Sequence, residues 1–359
     1  MMVSRPKIKI RRPDDWHVHF RRELVLETVL PYTAKLFGRA LIMPNTKPEA
    51  IRNADDAKNY LQEIQKCYRQ NGITTFEPIM SIEGTEATTP ETVIEAVQTG
   101  VRVVKLYPAN QTTNSQDGVT QSGYQKLYLI FEVMSQKEMV LSLHGELPDF
   151  NLSGLKREEG FLCILCDIAK KFPRLRIVLE HVTTFVAIDC VESLPANVAA
   201  TITLHHLLTT IDDVIGYSQC SGGKMQPHLF CKPVPKYETD RQTLIRTAIK
   251  GNPKFFFGSD TAPHLKGTKE CADVCAGIFS APVAMPCLIQ AFADNNSLNQ
   301  LGNFTSVFGA EFYDLPQNQD EVEFTNSPWT VPKEIPVGDG KETIVPFLAG
   351  QQLNWQQTA

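Results

Sequence analysis

The segment MVLSLHGELPDFNLSGLKREEGFLCILCDIAKKFPRLRIVLEHV (139–182) decides the fold. Its ends, MVLSLHGE (139–146) and RIVLEHV (176–182), are apolar runs of strand length. Between them, REEGFLCILCDIAKKF (157–172) is amphipathic and of helical length. Strand, helix and strand in that order make a unit whose two strands run parallel. The same alternation extends both ways along the chain. Candidate strands are WHVHF (16–20), ALIMPN (40–45), TTFEPIM (74–80), VRVVKLYP (101–108), NVAATITLHH (197–206) and KFFFGSD (254–260). Candidate helices include DDAKNYLQEIQKCYRQ (55–70), PETVIEAVQTG (90–100), YQKLYLIFEVMSQ (124–136) and DRQTLIRTAIK (240–250). Eight such strands, in a chain of 359 residues, suit a closed (β/α)8 TIM barrel of the α/β class better than an open sheet.

No repeat, low-complexity tract or linker divides the chain, so residues 1–359 are expected to form a single domain. The tail from about Asn303 to Ala359 is rich in Pro, Asn and Gln and reads as a C-terminal extension packed on the barrel. Its TIVPFLAGQQLNW (343–355) is expected to form one more strand pair. An apolar content of 42% with 21% charged residues is that of a globular protein. The net charge of −5 argues against a nucleic-acid partner. No window reaches the roughly 20 apolar residues of a membrane span, and no signal segment follows the basic start. Nine scattered cysteines suggest reduced thiols and a cytoplasmic protein. Cys163 and Cys166 have CxxC spacing in an apolar helical run and read as buried core thiols. Cys271 and Cys275 lack the second pair that a structural zinc site needs.

Barrel active sites form at the C-terminal ends of the strands. In DDWHVHFR (14–21), His17 and His19 share one strand face because alternate side chains do. They are a ligand pair or two histidines lining a polar pocket; eight residues do not decide. The other strand ends do. Lys105 lies near the end of the fourth, His144 closes the fifth, His181 the sixth, and Asp260 follows the eighth. Four imidazoles and a carboxylate exceed the three ligands of a single catalytic zinc and suit two ions. An ammonium at Lys105 would be repelled by them. Reaction of its amine with CO2 gives a carbamate, an anion that can bridge both. His205 and His206, also at a strand end, read as residues behind the ligands or in the core.

HVHFR, MPN, KLYPANQTTNS, LHGE, EHVTT and GSDTAPH, in that order, resemble the motif series of the dihydroorotase family, in its monofunctional form within the amidohydrolase superfamily. The resemblance runs from Trp16 to about Gly350. KLYPANQTTNS and GSDTAPH are specific to this branch, whereas HxH marks only the superfamily. It implies reversible interconversion of N-carbamoyl-L-aspartate and (S)-dihydroorotate in pyrimidine (UMP) synthesis. It also implies two Zn2+ per subunit, His17 and His19 with Asp260 on one ion, His144 and His181 on the other, and carboxylated Lys105 bridging. A metal-bridging hydroxide would attack the ring amide, with Asp260 as the catalytic general base. By the same resemblance Arg21, Asn45 and His264 surround the substrate carboxylate, and His144 and backbone groups at Lys232 and Ala276 also contact substrate. Thr112 and Thr113 belong to a lid, and a homodimer is the expected assembly. Lys232 and Gln226 depart from the family pattern; Lys232 would act through its backbone. A dihydropyrimidinase- or hydantoinase-like cyclic amidase would keep the metal set but has no use for Arg21. A non-catalytic scaffold of this fold would lose ligands, and none of the six is missing here.

Overall fold

The computed structural model describes residues 5–111 and 115–358. Eight short strands run parallel in sequence order: β2 (Asp14–Val18), β3 (Arg39–Ile42), β4 (Glu77–Gly84), β5 (Val103–Leu106), β6 (Val140–His144), β7 (Arg176–Glu180), β8 (Val198–Ile202) and β9 (Phe255–Phe257). A parallel bridge between Val18 and Thr261, with the His19 amide donating to the Thr261 carbonyl at 2.9 Å, joins the last strand to the first. The expected (β/α)8 barrel is thus the one observed. Every expected strand is present, and the expected helices are found as Ala54–Gln70, Pro90–Gln98, Tyr128–Gln136, Arg157–Lys171 and Glu238–Lys250. No described helix is long and apolar enough to cross a membrane.

The barrel strands are covered on both faces, which is why their sequences are continuously apolar rather than alternating. Outward residues such as Ile42, Val104, Leu141, Leu143, Ile177 and Leu179 pack beneath the helices. Inward residues form layers, as period-2 alternation requires. Leu41, Ile79, Val103, Val140, Val178, Ala199 and Phe256 make an apolar floor. Two residues further along the strands, the inward positions become Lys105, Ser142, Glu180 and Thr201. This polar layer is set above the floor, and all four side chains are buried.

Strand β2 carries a bulge. Asp15 pairs with Ala40 and Val18 with Ile42, so Trp16 and His17 together oppose Leu41 alone. Trp16 joins the floor and His17 the site above it. The floor is sealed from below by residues 303–313, which sequence reading assigned to the extension. Phe308, Ala310, Phe312 and Tyr313 pack into it, with Tyr313 stacked on Trp16 at 4.3 Å between ring centroids.

Outside the barrel lie an antiparallel sheet, in the order β1 (Lys7–Arg11), β10 (Glu321–Thr330), β13 (Gln352–Gln357), and a hairpin of β11 (Ile335–Val337) with β12 (Glu342–Ile344). The strand pair expected from TIVPFLAGQQLNW is therefore not formed: its two strands do not pair with each other. Each takes an older partner in the chain, and the basic N-terminal stretch supplies the third strand of the larger sheet. Cys163 and Cys166 are exposed, not core, because the helix Arg157–Lys171 buries Phe161, Leu162, Leu165 and Ile168 instead. His205 and His206 are buried in the helix Leu204–Leu208 that follows β8, rather than in the strand.

Candidate metal centre and substrate pocket

At the C-terminal mouth of the barrel, His17, His19, Arg21, Asn45, Tyr107, His144, His181, Lys232, Asp260, Ala262, Ala276 and Gly277 line a narrow cavity. Three of them converge closely. The Nε2 atoms of His17 and His19 lie 3.3 Å apart, and Asp260 Oδ1 is 3.4 Å from the first and 3.1 Å from the second. The other nitrogen of each ring faces an acceptor. His17 Nδ1 donates to Glu180 Oε2 at 2.9 Å and His19 Nδ1 to Asn45 Oδ1 at 2.8 Å. Such partners fix the tautomer, so both Nε2 atoms carry lone pairs. Two lone pairs and a carboxylate oxygen then point at one another in a buried place. A cation relieves that arrangement, and the donor set is one that zinc takes.

Glu180 is held from three sides, since the Ser142 and Thr201 hydroxyls also donate to it at 2.6 and 2.7 Å. Burial alone would raise its carboxyl, but His17, Lys105 and the Ser142 hydroxyl overcome it and hold the group at about 2. Burial pushes the imidazoles of His17, His19 and His181 down, which favours the neutral form that binds metals. It raises Asp260.

The Lys105 amine is fully buried and has no hydrogen-bond partner among the described residues, with the Tyr107 ring 5.1 Å from it. Burial lowers it from 10.5 to about 8. An unpaired ammonium in such a place costs several kcal/mol, so the residue is out of balance with its surroundings as a simple lysine. His181 Nδ1 is likewise buried without a hydrogen-bond partner among the described residues. The rings of His144 and His181 lie 4.7 Å apart. His144 Nε2 is engaged by Glu146 at 2.7 Å, which leaves Nδ1 as its nitrogen for an ion. The tight trio is thus His17, His19 and Asp260; His144 and His181 face the same cavity without joining it.

Backbone strain concentrates here. Arg21, His181 and Asp260 have φ of 63°, 41° and 45°, a region that non-glycine residues seldom occupy. At His181 the consequence is direct. Alternation from Val178 turns Glu180 inward and would turn His181 outward; the left-handed backbone brings both into the barrel.

Arg21 is braced by the Pro263 carbonyl at 3.0 Å and meets His264 Nε2 at 3.0 Å, and His264 also reaches the Ala276 carbonyl at 2.9 Å. The structure thus brings Arg21, His264 and Ala276, all named from the sequence, to one place. Sequence reasoning missed Tyr107, Glu146 and Glu180. The first two stand two residues beyond Lys105 and His144, on the same faces, a signal that was available. Thr112 and Thr113 lie outside the described residues; on either side of them the Asn110 amide donates to the Ser115 carbonyl at 2.8 Å.

A TIM barrel with an HxH pair, a buried lysine and an aspartate after its last strand belongs to the amidohydrolase class. Comparison with known proteins is more specific. None of the protein-family models matches. A dihydroorotase of Teredinibacter turnerae is 42% identical over 97% of this chain and 98% of its own length. The crystal structure of a dihydroorotase from Campylobacter jejuni is 37% identical with a TM-score of 0.88, covering 100% of this chain and 99% of that one. One from Saccharomyces cerevisiae, in complex with 5-fluoroorotic acid, is 36% identical with the same TM-score of 0.88, over 98% of both chains. The chain belongs to the dihydroorotase family and is a cyclic amidohydrolase of pyrimidine biosynthesis.

Proposed function

We propose that this chain interconverts N-carbamoyl-L-aspartate and (S)-dihydroorotate with two zinc ions. His17, His19 and Asp260 would hold one, His144 and His181 the other, and Lys105, carboxylated by CO2, would span both. The observation that carries the reading is the meeting of two imidazole lone pairs and a carboxylate beside a buried amine without a hydrogen-bond partner among the described residues. Bound there, the ions would polarise the ring amide carbonyl and make a hydroxide available near neutral pH.

The chain's own residues do the rest. Arg21 offers a guanidinium fork to the substrate carboxylate, with Asn45 and His264 beside it. Backbone groups at Lys232 and Ala276 meet the ring, with Thr112 and Thr113 as hydrogen-bonding partners of the bound substrate. Asp260, raised by burial, takes the proton of the attacking hydroxide and passes it to the leaving ring nitrogen; synthesis reverses the order. A hydantoinase-like activity would leave the Arg21 charge facing an uncharged ring.

The test is chelation and reconstitution with zinc and bicarbonate, following dihydroorotate against 5,6-dihydrouracil, with Lys105→Ala in parallel. The expected result is turnover of dihydroorotate only, lost on chelation. The variant should lose nearly all activity and much of its metal. Full activity in Lys105→Ala would dispose of the carbamate.

A further inference from the structure

Lys269 touches neither the cavity nor the metal ligands, yet it uses every donor it has. Its side chain is 3% exposed. Its ammonium donates to the carbonyls of Phe230 at 2.9 Å, Cys275 at 2.8 Å and Gly277 at 2.8 Å. A lysine has three N–H groups, and all are spent on backbone oxygens. Those oxygens belong to two separate stretches of chain. Phe230 precedes Lys232, and Cys275 and Gly277 flank Ala276; Lys232, Ala276 and Gly277 line the cavity. The Gly277 amide also donates to Phe230 at 2.9 Å, closing the link between the two stretches.

We infer that Lys269 is a positioning residue for substrate: it clamps together the two backbone segments that meet the ring, and so sets affinity without taking part in the chemistry. The inference rests on the dihydroorotase reading above. Neither segment is regular structure at this point, so no strand or helix ladder holds it, and three bonds from one buried group replace such a ladder. The far side is tight as well. Gly277 has φ of 145°, and a Cβ there would come within 2.6 Å of the Ala262 carbonyl. The segment is therefore pressed between Lys269 and the strand end that carries Asp260. From Ala276 the link continues through His264 to Arg21. Burial pushes the Lys269 amine down to about 8, and the nearby Cys231 and Cys275 work the other way. An apolar residue would fill the volume; only a donor with three hydrogens satisfies all three oxygens at once.

The experiment is steady-state kinetics on the zinc-loaded enzyme with Lys269→Met, which keeps length and removes the donors. KM for dihydroorotate is expected to rise at least about tenfold, with kcat within about threefold of wild type and zinc content unchanged, because uniform binding is lost and the reacting groups are not touched. Lys269→Gln, keeping two N–H groups on a shorter arm, should fall between the two; it carries the test alone if the methionine variant does not fold. An unchanged KM in a folded variant overturns the inference. So does a loss of kcat accompanied by loss of zinc, which would make Lys269 a support of the metal centre. A wild-type enzyme inactive on dihydroorotate would instead sink the functional reading, and this inference with it.

Discussion

Carbon dioxide reacts with a free amine and not with an ammonium, so the burial of Lys105 has a chemical consequence. With its amine at about 8, about a tenth is neutral at pH 7, against roughly one part in three thousand for a solvent lysine. Lowering the pH through 8 protonates the amine and removes the reactive form. Reconstitution of metal-free enzyme with zinc at fixed dissolved CO2 should therefore slow about tenfold for each pH unit between 7 and 6, measured as recovery of activity against time. A flat profile would mean that the amine is not the species being consumed. The six groups around the proposed ions were legible in sequence because strand ends are where a barrel presents chemistry, and His, Lys and Asp stand out against apolar strands. Glu180 was not legible. It adjoins His181, and alternation lets only one of two neighbours face inward; the left-handed φ of 41° at His181 is invisible to a period-2 reading.

Elements were legible where both faces are buried, since such strands read as unbroken apolar runs bounded by polar turns. The bottom of the barrel was not. The segment 303–313 has the composition of a tail, but three-dimensional closure makes it a plug: its aromatic residues meet the floor that the strand interiors leave open. Gly309 is where the plug comes closest, for a Cβ there would run into the Trp16 indole. Gly309→Val should destabilise by about 1–3 kcal/mol through overpacking, read as a shift in the denaturant midpoint. Because Trp16 precedes His17 across the bulge of β2, zinc affinity should fall in the same variant. Stability unchanged within error would mean the plug can withdraw without cost. The bulge itself could not be read from DDWHVHFR, since it is defined by the partner strand: two residues against Leu41 is a fact about pairing, not about either sequence alone.

Across the whole molecule, the outer sheet ties the two ends of the chain together. β10 lies between β1 and β13, so it has no free edge along Glu321–Thr325 only because Lys7–Arg11 covers it. KIKIR belongs to the basic start of the sequence; its isoleucines alternate with charge, and Ile10 is buried against the extension while Ile8 packs beside it. Removing residues 1–11 should cost about 2 kcal/mol from Ile10 alone and expose an edge that invites pairing with other chains. A lower melting temperature and light scattering that grows with protein concentration are the expected readings. A monodisperse, equally stable truncation would show the cover to be dispensable. The same sheet also imposes a schedule. Lys7 meets Glu323 across 316 residues, and a ribosome adding about 5–20 residues per second needs roughly a quarter of a minute to a minute to supply that partner. The first strand made is thus among the last to be seated, and throughout that interval a cationic, half-apolar ribbon waits in the open for a mate not yet synthesised.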